Sequence, residues 1–102
     1  MKLPIILTLA ASVFAGGAHA TEPANSLDLV NLLKQDCGSC HGLTLRGGLG
    51  PALTPEALKG TPDDVLVATI LYGRPQNAMP PWSDILTRQE VEWIVDRLRE
   101  GL

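Results

Sequence analysis

Basic residues are scarce in this chain: eight Lys and Arg stand against eleven Asp and Glu, a formal charge of −3. A nucleic-acid binder would cluster Lys and Arg along one face, so this balance argues against one. Aromatic residues make up only 4% of the 102 residues, which leaves little bulk for a self-sufficient core. No segment alternates apolar and polar residues at every second position, so nothing reads as a strand. There is no Ser/His/Asp set and no pair of carboxylates placed for acid–base catalysis. No internal repeat, low-complexity run or shift in composition marks a second folded domain. An apolar run of comfortable membrane-spanning length is missing too.

The longest apolar run lies at the start. Lys2 supplies a positive charge, Leu3 to Phe14 is apolar, and Ala18-His19-Ala20 is an A-x-A cleavage pattern. This predicts a secretory signal peptide over residues 1–20, cleaved after Ala20, and one domain over 21–102 in the periplasm. Losing the leader would leave one histidine (His41), one methionine (Met79) and two cysteines (Cys37 and Cys40). Seven basic residues would then face eleven acidic ones, a formal charge of −4. Any electrostatically steered partner is expected to present positive surface. A domain of roughly 80 residues is near the lower limit for burying an adequate core.

Helix signals punctuate that domain. Asn25 or Ser26 is expected to cap a first helix, with Asp28 in the capping-box position and Leu29, Val30, Leu32 and Leu33 on its apolar face, up to Gln35 or Asp36. Gly42, Gly47, Gly48 and Gly50, followed by Pro51, predict a loop. Thr54 to Leu58 reads as a short capped turn stopped by Gly60. Thr61 to Asp64 opens a further helix with Pro62 at its first position, ending at Gly73. Residues 74–83 read as a proline-rich extended segment. Thr87 and Glu90 form a capping box ahead of a closing helix with Val91, Ile94, Val95 and Leu98 on one face, Trp93 beside them and Gly101 at its end. The expected class is all-α with long loops.

Between the first helix and the glycine-rich loop stands Cys37-Gly38-Ser39-Cys40-His41. C-x-x-C-H is the attachment sequence for a c-type haem. The two thiols add across the vinyl groups of the porphyrin, and His41 is then held beneath the ring as proximal iron ligand. Three other readings compete. A thioredoxin-like pair needs a βα setting, and a structural zinc site usually takes four Cys or His ligands. A plain disulfide would leave the adjacent histidine unexplained. The second ring nitrogen of His41 needs an acceptor, which a backbone carbonyl of the Gly50-Pro51 loop could supply.

Met79 is the candidate sixth ligand. A lone methionine is more often a gap-filler, but this one sits in a proline-flanked loop between two helices. A thioether favours ferrous over ferric iron and raises the potential. Pro80 and Pro81 reduce the loop's conformational entropy. Trp82 is read as packing on the haem edge or donating to a propionate, and Trp93 as helix-packing core. Arg46 and Arg74 are either propionate partners or solvated. A covalently held porphyrin would add apolar surface to the modest core, so the chain without it should fold poorly.

These residues resemble class I cytochromes c in order: a first helix, Cys37 to His41, Gly50-Pro51, the Met79 loop and an amphipathic closing helix with Trp93. The resemblance implies three to four helices and long loops around one haem c. It implies that the Pro51 carbonyl accepts the His41 N–H, and that the first and last helices pack together. Residues 36–51 and 77–82 are similar, more narrowly, to the small NirC-type cytochromes that accompany dissimilatory cytochrome-cd nitrite reductase in denitrifiers. That implies electron donation to the reductase or a part in maturing its haem. The expected protein is a monomeric, non-enzymatic mono-haem carrier with His41 and Met79 on iron and Cys37, Cys40, Pro51 and Trp82 around the haem. A general carrier for another oxidase or dehydrogenase is the alternative, and a small peroxidase or gas-binding protein with a labile sixth site is a further one. With Lys34 and Lys59 as the only lysines after the leader, no lysine-ringed docking face is expected.

Overall fold

The computed structural model describes residues 1–6, 8–12 and 22–102. The A-x-A cleavage pattern lies outside the described residues. Helices account for the regular structure, and the described residues include one isolated antiparallel bridge, Arg74 to Met79.

The first helix, α1 (Ser26–Leu32), continues without a break through a π-helical turn (Leu33–Cys37) into α2 (Gly38–His41). Leu32, Leu33, Cys37 and Gly38 all keep right-handed helical angles across the junctions. The helix therefore does not stop at Gln35 or Asp36 but takes in the whole C-x-x-C-H segment. The expected side-chain cap at Asn25 is not made. The Asn25 amide instead donates to Glu90 Oε2 at 2.5 Å, far along the chain. A partner with charge and a fixed position outcompetes the local backbone donors.

Thr54 caps α3 (Pro55–Leu58) as expected, its hydroxyl accepting from the Ala57 N–H at 3.3 Å. Pro62 precedes α4 (Asp63–Tyr72) at the N-cap, one position earlier than expected, and its carbonyl accepts from Val65 and Leu66. The capping box of α5 (Arg88–Glu100) is complete: Glu90 N–H donates to Thr87 Oγ1 and Thr87 N–H to Glu90 Oε1.

Packing centres on α5, whose Val91, Ile94, Val95 and Leu98 are all buried. It lies mainly against α4 and also meets α3 and α1. The first and last helices thus share one cluster with Leu29, Leu33, Leu45, Leu58, Val67, Leu71 and Leu86. Burying one such side chain stabilises by about 1.5–3 kcal/mol. Leu33, fully buried, pins the helix immediately before Cys37. Trp93 packs at the margin of the cluster, with the Arg97 guanidinium 5.8 Å from its ring centre. Tyr72 adds nothing to that core, being 62% exposed. Arg99 closes the end of α5 onto α3 and α4: Nε donates to Asp63 Oδ1 at 2.6 Å, Nη1 to the Leu58 carbonyl at 2.9 Å, and Nη2 to the Thr61 carbonyl.

Candidate haem site

One helical turn after Leu33, the two cysteines differ in setting. Cys37 is half-buried against the core and Cys40 is exposed, three residues on; both are free thiols. Burial, and then the neighbouring Asp36 charge, push the Cys37 thiol up to about 11. The described residues include no strand beside this segment, so the βα setting of a thioredoxin-like pair is missing. Among the described residues, no three His, Cys, Asp or Glu side chains gather as a metal cluster, so nothing there supports the zinc reading. Ser39, between the cysteines, folds its hydroxyl back onto the Asp36 carbonyl at 2.8 Å. That gives a partner to an oxygen in the widened turn.

His41 closes α2. Its Nδ1 lies 2.7 Å from the Pro51 carbonyl oxygen. A carbonyl can only accept, so Nδ1 carries the proton and Nε2 keeps its lone pair free for a metal. The bond falls where the family resemblance puts it. The loop that brings Pro51 back is itself tied to the helix end. Gly47 N–H donates to the His41 carbonyl and Gly50 N–H to the Cys40 carbonyl, both at 2.8 Å. These are carbonyls a helix leaves without an internal partner. Leu45 anchors the loop in the core at 6% exposure, and the Leu53 N–H reaches its carbonyl at 2.8 Å. Gly50 lies so close to the imidazole that a Cβ there would stand 2.9 Å from His41 Nδ1 and Cε1.

Met79 is half-buried on a closed loop. Residues 74–83 are not extended: Pro75–Asn77 forms a 3-10 turn and Ala78 adopts left-handed angles, φ 60°. The turn lets Arg74 N–H donate to the Met79 carbonyl at 2.9 Å. Gly73, at φ 69°, permits this approach, since a Cβ would collide with the Met79 and Pro80 backbone. Beyond the prolines, Trp82 N–H donates to the Ile70 carbonyl at 3.0 Å and Ser83 N–H to the Leu71 carbonyl at 3.1 Å. Both ends of the Met79 loop are therefore fastened to the last turn of α4. Trp82 packs partly buried against the core, while Arg46 and Arg74 are exposed.

The donor set fits haem c: two thiols one helical turn apart, and an imidazole with its tautomer set by Pro51. Cys37 and Cys40 would carry the thioethers and His41 Nε2 the iron. The π turn, the Gly73 approach and the Asn25–Glu90 link escaped the sequence reading. A glycine six residues before Met79 was a signal for the second; no residue pattern announces the first.

A helical chain that ends its first helix in C-x-x-C-H, with the histidine bonded to a loop proline, is a c-type cytochrome. It belongs to the family described as cytochrome c oxidase, cbb3-type, subunit III, whose model it matches over residues 24–96. It is similar to cytochrome c55X of Pseudomonas aeruginosa, 52% identical over 99 residues, which cover 97% of this chain and 83% of that protein. It also resembles the solved c-type cytochrome NirC, at 62% identity and a TM-score of 0.73, over 74% of this chain and 89% of that one. A third likeness is to dihydro-heme d1 dehydrogenase NirN in complex with DHE. There the identity is 32% and the TM-score 0.66, over 72% of this chain but only 16% of that one. The chain is accordingly a NirC-like electron-transfer protein with covalent haem c.

Proposed function

We propose that this chain is a periplasmic mono-haem carrier, with His41 and Met79 as axial ligands, that donates electrons to cytochrome-cd nitrite reductase. The observation that carries the ligand reading is the 2.7 Å contact between His41 Nδ1 and the Pro51 carbonyl, which leaves Nε2 for iron. Met79 supports the sixth position because its loop is held rigidly at both ends. A ligand pair that stays in place in both oxidation states keeps reorganisation small, which suits a carrier. The haem supplies the reversible one-electron step; the chain supplies ligands, orientation and a brief, small-interface encounter with its partner.

The partner reading rests on the resemblance of residues 36–51 and 77–82 to NirC-type cytochromes and on the likeness to solved NirC. Location rests on the leader pattern over residues 1–20, and no helix among the described residues is long and apolar enough to cross a membrane. Stopped-flow mixing of the reduced protein with oxidised cytochrome-cd nitrite reductase tests the donor role. Fast, saturable, salt-sensitive loss of the ferrous bands supports it. Slow oxidation beside quick exchange with other periplasmic cytochromes or oxidases assigns a general carrier instead.

The likeness to dihydro-heme d1 dehydrogenase favours a second reading, in which the cytochrome serves maturation of the reductase's haem. It predicts electron exchange with that dehydrogenase, or a stable complex with the reductase that is indifferent to redox state.

A further inference from the structure

The last turn of a helix leaves carbonyls with no partner inside it. At the end of α4 the chain on both sides of Met79 supplies the donors. Gly73 N–H reaches the Thr69 carbonyl at 2.9 Å, Trp82 N–H the Ile70 carbonyl at 3.0 Å, and Ser83 N–H the Leu71 carbonyl at 3.1 Å. Val67 and Leu71 are buried in the core, so this turn is the fixed part of the arrangement. Pro80 and Pro81, between Met79 and Trp82, have no N–H and bring no unpartnered donor to the place where the loop crosses back.

That crossing is made on Gly73. Its φ of 69° and ψ of −173° form a conformation open in practice to glycine alone. A Cβ there would meet the Met79 carbonyl oxygen, and would stand 2.7 Å from the Pro80 carbonyl carbon and 2.8 Å from the Pro81 nitrogen. All three are backbone atoms, which cannot swing aside as the end of a side chain can. On the other arm of the loop, Ala78 holds left-handed angles immediately before Met79. Gly60, beyond α3, is different: a Cβ on it would meet nothing within 4 Å.

We propose that Gly73 is a positioning residue for the sixth iron ligand: its bare Cα is the seat that holds the Met79 backbone against the end of α4. The inference rests on the reading of Met79 as that ligand. Gly73 acts through the Met79–Pro81 backbone and not by touching the iron. A side chain at position 73 has to push that backbone away, and the sulfur moves with the backbone that carries it. The seat therefore sets how firmly the thioether keeps its place, and how readily another ligand takes it. A competitor's apparent affinity is its intrinsic affinity reduced by the fraction of molecules whose sixth position is open.

Imidazole titration of the ferric, haem-loaded protein tests this, with the sulfur-to-iron charge-transfer absorption as a second readout. Gly73→Ala should bind imidazole about tenfold more tightly, the scale of strain at a glycine-only conformation, and should lose part of that absorption. Gly60→Ala should match the parent. In a Met79→Ala background, adding Gly73→Ala should change imidazole affinity no further, because the two act as one unit. A Gly73→Ala protein with parental affinity would overturn the proposal. So would a double variant that binds more tightly than Met79→Ala alone, since Gly73 would then act by another route. If Gly73→Ala does not load haem, Ala78→Val strains the same loop from its other arm, a β-branched residue being ill-suited to left-handed angles. It should tighten imidazole binding in the same way, and parental affinity there would overturn the proposal too. Parental affinity in Met79→Ala itself would instead bring down the ligand reading on which the inference rests.

Discussion

Asn25 and Glu90 stand 65 positions apart, yet the amide of one donates to the carboxylate of the other at 2.5 Å. Glu90 is at the same time the third residue of the α5 capping box, so one carboxylate serves both ends of the helical frame. The Thr87 backbone N–H, and then the Asn25 amide, hold its pKa below the ordinary glutamate value.

This gives a pH signature. A carboxylate with a depressed folded-state pKa contributes its stability above the unfolded value, about 4.3, and loses it as pH falls through the lower folded value. Glu90→Gln should therefore lower the melting temperature at pH 7, and the gap to the parent should close as pH falls below the ordinary glutamate range. Thermal unfolding of the haem-loaded protein by circular dichroism across that range checks it. A gap that persists unchanged at low pH would assign the loss to packing.

Gly50 has no room for a side chain beside His41. Gly50→Ala should shift the imidazole, alter the visible spectrum and destabilise by about 1–3 kcal/mol, the usual cost of overpacking. Absorption spectra and thermal unfolding together read both effects. A normal spectrum with a normal melting point would show that the loop can yield.

Removing the thioether should expose the sixth position. Met79→Ala is expected to lower the reduction potential by on the order of 0.1 V, within the range that axial ligands control. The reduced variant should also bind carbon monoxide rapidly, where the parent binds it slowly. Unchanged coordination in that variant would remove Met79 from the iron.

Arg99 saturates three acceptors from a planar fork that lysine lacks. Arg99→Lys should leave at least one part-buried carbonyl without a donor, at a cost of about 1–3 kcal/mol. Chemical denaturation should then show a lower midpoint with an unchanged slope.

Much of this was legible beforehand, and the reasons are local. Thr54, Thr87 with Glu90, and the apolar face of α5 act through neighbours three or four residues away, so spacing alone reveals them. The Pro51 contact was legible through family resemblance, since a bond across ten residues of loop has no periodicity. Asn25 misled because its side chain found a charged acceptor on another helix. Residues 74–83 misled because prolines read as extended chain, whereas Gly73 and the left-handed Ala78 let the segment fold onto itself. The π turn was invisible: Leu33 to Cys37 look like any helical residues.

The loop fastened at Arg74, Trp82 and Ser83 is in effect a small closed ring of chain hung from the end of α4. A ligand carried on such a ring can leave by rotation of its own side chain, without the ring opening. Recapture of a released side chain would then be a local event on the nanosecond scale of rotamer motion, far quicker than loop excursions. A visiting small molecule would find the position guarded by a tethered competitor at high effective concentration, and not by a gate.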